Sequence, residues 1–100
     1  MLFMIKGTDG DSAAAPRRQH LQEHLAYIEA NMAPIRVAGY LSAPDGNGMI
    51  GSLYIIDVDD EGAARTFIEN DPYYDKDIWA TVEIEPFTGV AGEWVGGRNW

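Results

Sequence analysis

The stretch Met49 to Val58, Met-Ile-Gly-Ser-Leu-Tyr-Ile-Ile-Asp-Val, most restricts what this chain can fold into. It is short, rich in β-branched and aromatic residues, and apolar on both alternating faces. Leu53 and Ile55 lie on one face, and Tyr54, Ile56 and Val58 on the other. A strand of that kind has to be covered on both sides. The preceding Ser42-Ala43-Pro44-Asp45-Gly46-Asn47-Gly48 is dense in turn formers and joins it, as a hairpin, to a second apolar run from Ile35 to Leu41.

The flanking segments complete the order. Leu2 to Lys6 reads as a strand, and Gly7 to Ala15 as a loop in which Asp11 or Ser12 caps the next element. Pro16 suits a first helical turn. From Arg17 to about Met32, Leu21, Leu25, Ile28 and Met32 recur at intervals of 4, 3 and 4, a helical stripe expected to face the core. His24 belongs to that stripe, whereas Arg17, Gln22, Glu23 and Glu29 are read onto the outer side, and Pro34 ends the helix. A second helix starts at Asp59 or Asp60, either of which caps it, and its inner stripe is Ala63, Ala64, Phe67 and Ile68. Pro72 disfavours helix at Asp71 and stops it there. Ile78 to Pro86 is the fourth strand, with Ile78, Ala80, Val82 and Ile84 alternating against Trp79, Thr81, Glu83 and Glu85. The tail from Phe87 to Trp100, with four glycines and two tryptophans, is expected to be irregular apart from a short edge strand near Glu93 to Val95.

The order β-α-β-β-α-β, with right-handed crossovers, predicts an α+β ferredoxin-like sandwich with both helices on one face of an antiparallel sheet. A closed barrel or a doubly wound sheet would need more strands. The 100 residues form one domain, with a core over about 1–90 and a Gly/Trp-rich tail over 91–100. The apolar side chains on the uncovered sheet face call for a second copy, so a homodimer through the sheets is expected.

Charge and composition exclude several functions. Sixteen acidic residues against 7 basic ones give a formal charge of −9, which repels phosphate backbones, and the one basic pair, Arg17-Arg18, is too small to reverse that. No window approaches the ~20 apolar residues of a membrane span. Met1 to Lys6 is apolar for only five residues and lacks the basic region and full-length apolar region of a secretory signal. Without cysteine there are no disulfides, thiolate metal sites or cysteine nucleophiles, which agrees with a reducing, cytoplasmic setting.

Chemistry centres on His24 and Asp71. Both helices pack on the same sheet face, so His24 on the inner stripe of the first can meet Asp71 at the inner end of the second. A carboxylate beside an imidazole fixes its tautomer and stabilises the imidazolium, which makes a usable general base. Tyr27, Tyr73 and Trp79 supply aromatic surface for a substrate pocket. His20 and His24 are spaced i, i+4, but no third ligand is placed, so no metal is expected. No glycine-rich loop follows a strand to cradle phosphate, and Ser12, Ser42 and Ser52 have no nucleophile context.

The ordered set His24-Leu25-Ala26-Tyr27-Ile28, Val37-Ala38-Gly39, Ile50-Gly51-Ser52-Leu53, Ala64 through Phe67 to Asp71-Pro72-Tyr73, and Val82-Glu83-Ile84-Glu85-Pro86 resembles the YciI-like (YCII-related) family from about Met1 to Val90. The resemblance implies a dimeric α/β barrel of ferredoxin-like protomers. It also implies a His–Asp active site, which position carries onto His24 and Asp71. The chemistry implied is elimination or isomerisation on small ring compounds, without a cofactor. Three features depart from the family pattern. Tyr40 replaces the Pro that usually follows Ala-Gly, Leu21 stands where an Arg usually precedes the His by three, and the tail runs past the usual end.

These observations leave two functional expectations. One is a small cofactor-independent lyase or isomerase with His24 as base and Asp71 as its partner. The other is a non-catalytic dimer that binds a small ligand or serves as an accessory domain. A His24–Asp71 contact opening onto a cavity favours the first, and the same contact sealed under side chains favours the second.

Overall fold

A computed structural model describes residues 1–100. Its body is a four-stranded antiparallel sheet of β1 (Leu2–Asp9), β2 (Ile35–Ser42), β3 (Met49–Asp57) and β4 (Trp79–Phe87), in the spatial order β2-β3-β1-β4. Three helices, α1 (Ala14–Gln19), α2 (Leu21–Ala30) and α3 (Glu61–Glu69), complete the body. This is the ferredoxin-like α+β architecture.

Strand alternation decides which side chains enter the core. Phe3 and Ile5 of β1 lie opposite Ile56 and Tyr54 of β3, and all four are buried. The amphipathic α3 lays Ala64, Phe67 and Ile68 onto them. Each fully buried aliphatic side chain in this layer contributes about 1.5–3 kcal/mol. At the start of α3, Asp60 accepts from the Ala63 N–H at 2.8 Å, so one of the two candidate caps is the cap.

Three local features differ from the expected pattern. The first helix is not continuous: the chain breaks its axis at His20, which has φ −107° and ψ 15°. No glycine or proline causes the break. Across the break, Arg17 and its carbonyl tie α1 to Asp9 and Tyr73, while Tyr27 and His24 tie α2 to Phe67 and Asp71. Most of the expected core stripe also faces elsewhere. Leu21, Leu25 and Met32 are exposed, and Tyr27 and Ile28 make the contacts to the core.

The third difference is a β-bulge. Thr8 pairs with Thr81 but Asp9 with Trp79, so Ala80 is the extra residue. The bulge moves Trp79 onto the helix side with Val82 and Ile84, where strict alternation would have placed it opposite them. Only glycine fits beneath its ring: a Cβ on Gly7 would stand 2.8 Å from the indole.

The sheet face away from the helices carries Leu2, Met4, Leu53 and Ile55 beside Lys6, Glu83 and Glu85. The tail is more ordered than expected. Strands β5 (Ala91–Gly92) and β6 (Gly97–Arg98) form a small ribbon around a 3-10 turn at Glu93–Val95. Trp94 and Trp100 are 83% and 73% exposed on it. The radius of gyration, 14.1 Å, exceeds the ~13 Å of a compact chain of this length, in keeping with a ribbon standing off the body. No helix is long and apolar enough to cross a membrane.

Candidate active site

Asp71 follows the end of α3 directly. Asn70 caps the helix in αR geometry, Asp71 N–H still bonds Ile68 O at 3.2 Å, and Pro72 then turns the chain away. The turn buries the Asp71 carboxylate completely. Three donors satisfy it. His24 Nδ1 and the Tyr73 backbone N–H each reach Oδ1 at 2.9 Å, and the Tyr54 hydroxyl donates to Oδ2 at 3.1 Å. An ionised carboxylate only accepts, so His24 Nδ1 carries the proton in this bond and Nε2 is left as the basic nitrogen.

Nε2 has no hydrogen-bond partner within the chain, yet it is not sealed from solvent. The imidazole stacks flat on Tyr73, with ring centroids 3.9 Å apart and an interplanar angle of 3°, which fixes its orientation from a second direction. Tyr54 is nearly enclosed, and burial, reinforced by the Asp71 charge, pushes its hydroxyl far above the ordinary tyrosine range. It therefore stays a neutral donor. Burial and Asp71 also raise the Tyr27 hydroxyl. Burial raises that of Tyr73 too, with Arg17 opposing.

His24 opens onto a cavity of about 540 Å³ between the α1–α2 arm and the β2–β3 end of the sheet. Leu21, Leu25, Ile28, Ala38, Tyr40 and Met49 form its apolar walls, so Leu21 and Leu25 of the stripe expected in the core line this space instead. Tyr73 and Tyr54 also border it. The other two aromatics expected at the pocket stand behind its wall. Tyr27 donates its hydroxyl to Phe67 O at 2.6 Å, and Trp79 Nε1 donates to Ser52 Oγ at 3.3 Å. His20 is engaged with Glu23 at 3.1 Å.

A second polar group in the cavity escapes the sequence reading. Arg17, assigned there to the outer side of the helix, is buried. Its Nε and Nη2 donate to the two oxygens of Asp9 at 2.8 and 2.9 Å, and Nη2 also donates to Ser52 Oγ at 3.0 Å. The Tyr73 hydroxyl bonds Arg17 O at 2.9 Å, and the Arg17 guanidinium lies 5.5 Å from the Tyr73 ring centroid. Spacing did hold a signal for Arg17, which stands four residues before Leu21 and seven before His24, on their side of a helix. Tyr54 was legible as the inward neighbour of Ile56. Asp9 was not, because the bulge that seats it leaves no mark in composition.

Known proteins bear on this geometry. The chain matches the YCII-related domain over residues 1–88. It is similar to 5-chloro-2-hydroxyhydroquinone dehydrochlorinase (TftG) from Burkholderia phenoliruptrix AC1100, whose structure is a complex with 2,5-dihydroxybenzoquinone. The identity is 29%, the TM-score 0.79, and the likeness covers 93% of this chain and 97% of that one. Rv0793 from Mycobacterium tuberculosis is more distant, at 14% identity and a TM-score of 0.49 over 91% of this chain and 97% of that one, and informs nothing further. No curated protein sequence matches. With the match spanning the whole sheet and all three helices, the chain belongs to the YCII-related domain family.

Proposed function

We propose that the protein is a small enzyme of lyase or isomerase type, acting on small ring compounds, with His24 as general base and Asp71 as its orienting partner. The observation that carries this reading is the state of the two imidazole nitrogens. Nδ1 is bound to a buried carboxylate at 2.9 Å, while Nε2 is unpaired where His24 meets the cavity. A sealed contact would instead have favoured the structural alternative. The likeness to a dehydrochlorinase seen with a quinonoid ring supports the substrate class.

In the proposed step, Nε2 takes a proton from a ring hydroxyl or ring carbon. The electron pair left behind forms a new π bond. In an elimination, the leaving group departs with its own bonding pair. In an isomerisation, the imidazolium returns the proton to another ring atom. Asp71 holds the imidazolium charge meanwhile, and Tyr54 and the Tyr73 N–H keep the carboxylate from turning. A positioned base of this kind contributes roughly 10²–10⁴-fold. Neither step calls for a cofactor. We also propose that two copies pair through the open sheet face, which would cover Leu2, Met4, Leu53 and Ile55, and that the dimer works in the cytoplasm.

A panel of hydroxylated and halogenated hydroquinones and of muconolactones tests the assignment. Turnover that is lost in His24→Ala supports it. Equal turnover by wild type and His24→Ala would remove the role given to His24.

A further inference from the structure

The Arg17 guanidinium is only partly used. Its Nε and Nη2 edges are spent on Asp9 and Ser52, whereas Nη1 has just the Met49 thioether at 3.5 Å, a weak acceptor. Arg17 and Met49 both line the cavity. Asp9 grips the guanidinium from behind in a two-point contact, so the free edge is held in place before any ligand arrives. The side chains of the pair are only 10% and 6% exposed, and a donor so shielded from water is a stronger partner for an incoming anion.

The sign of the cavity points the same way. The whole chain carries −9, but the cavity wall holds Arg17 and Arg18 against one carboxylate, Asp9, which is already engaged. Arg18 is exposed at the rim and makes no ion pair. The remaining walls are mostly apolar. A ligand that fits this surface has a flat, apolar body and one ionised oxygen. Arg17 and His24 both line this cavity, and both approach the Tyr73 ring, at 5.5 Å and 3.9 Å from its centroid.

We propose that Arg17, oriented by Asp9 and Ser52, is the receptor for an ionised ring oxygen, a phenolate or enolate, and so selects acidic hydroxylated rings over neutral ones. This rests on the ring-compound reading above and names the substrate class within it. Arg17 does not move the proton. It holds the ring by an oxygen so that another position of the ring faces His24 Nε2, and its positive charge draws in the electron density that deprotonation leaves on the ring.

The test is calorimetric binding of two probes to the full-length protein. One is 2,5-dihydroxybenzoquinone, whose hydroxyls are ionised at neutral pH, and the other is its uncharged dimethoxy ether. Wild type should bind the ionised probe at least about tenfold more tightly. Arg17→Met should abolish that preference. Because it strands Asp9, the double variant Asp9→Asn/Arg17→Met is measured beside it, its fold checked by circular dichroism, with the same loss expected. Arg17→Lys, which keeps the charge but not the fork, should retain part of the preference. An unchanged preference in the folded double variant, equal binding of both probes by wild type, or binding of neither would overturn the proposal. Arg17-dependent binding without turnover of any ring compound would leave this inference standing and sink the lyase or isomerase reading. His24-dependent turnover with Arg17-independent binding would do the reverse.

Discussion

Asp71 and Asp9 are both shielded carboxylates grouped around Tyr73, and they have opposite partners. Asp71 faces an imidazole, a group that exists with or without its second proton, and Asp9 faces a guanidinium, which stays charged. In the proposed function the first pair is the one that moves a proton. The second is a fixed dipole, so it is suited to holding a ligand in one orientation. Their surroundings follow this division. Three donors from β3, α2 and the turn after α3 converge on Asp71. Asp9 spends both oxygens on one side chain.

The comparison can be broken at its strongest point first. His24→Ala should lower turnover of a hydroxylated-ring substrate by roughly 10²–10⁴-fold in steady-state assays, with the fold intact. Chemical denaturation then separates the pairs. Asp9→Asn leaves the buried Arg17 charge without its counter-ion and should cost about 3–5 kcal/mol, with little direct effect on the base. If Asp9→Asn instead left stability untouched, Arg17 would have to be a solvated side chain and the contrast would collapse.

A smaller effect is expected at Tyr54. Tyr54→Phe removes a hydrogen bond to an ionised group and should cost about 1.5–3 kcal/mol at neutral pH. Its pH dependence has a definite sign. The folded-state pKa lies above the unfolded value near 10.0, so the neutral hydroxyl stabilises the fold fully below that pH and the contribution fades as pH rises beyond it. Denaturation curves at pH about 8 and about 11 should therefore show the gap between wild type and Tyr54→Phe narrowing in alkali. The smallest change is Ser52→Ala. It takes an acceptor from Arg17 and Trp79 but leaves the Asp9 contact, and about 1 kcal/mol is expected by thermal melting.

Much of this molecule is readable from its residues. The β-α-β-β-α-β order follows from where apolar periods of two and of about 3.6 alternate, because burial has to be satisfied locally whatever the final packing. The inner stripe of α3, the Asp60 cap, the hairpin at Ser42 to Gly48 and the approach of His24 to Asp71 follow from the same rules. His24 sits on α2 and Asp71 just past the end of α3, and both helices pack against the sheet.

Tertiary structure decided the rest. The apolar stripe has the same spacing whether it meets a core or a cavity, and only the packed sheet shows that Leu21 and Leu25 wall an open space while Ile28 also reaches the core. The break at His20 has no proline or glycine to announce it, and the partners of the two helices, Asp9 and Tyr73 for α1 and Phe67 and Asp71 for α2, lie far away in the chain. The bulge at Ala80 reverses the facing of Trp79 through strand register, which depends on two segments far apart in the chain. Arg17 is expected on the side of the helix away from the apolar stripe. It lies inside because β1 ends in a carboxylate with the right reach, and a buried charge is tolerable only where its counter-charge is already waiting.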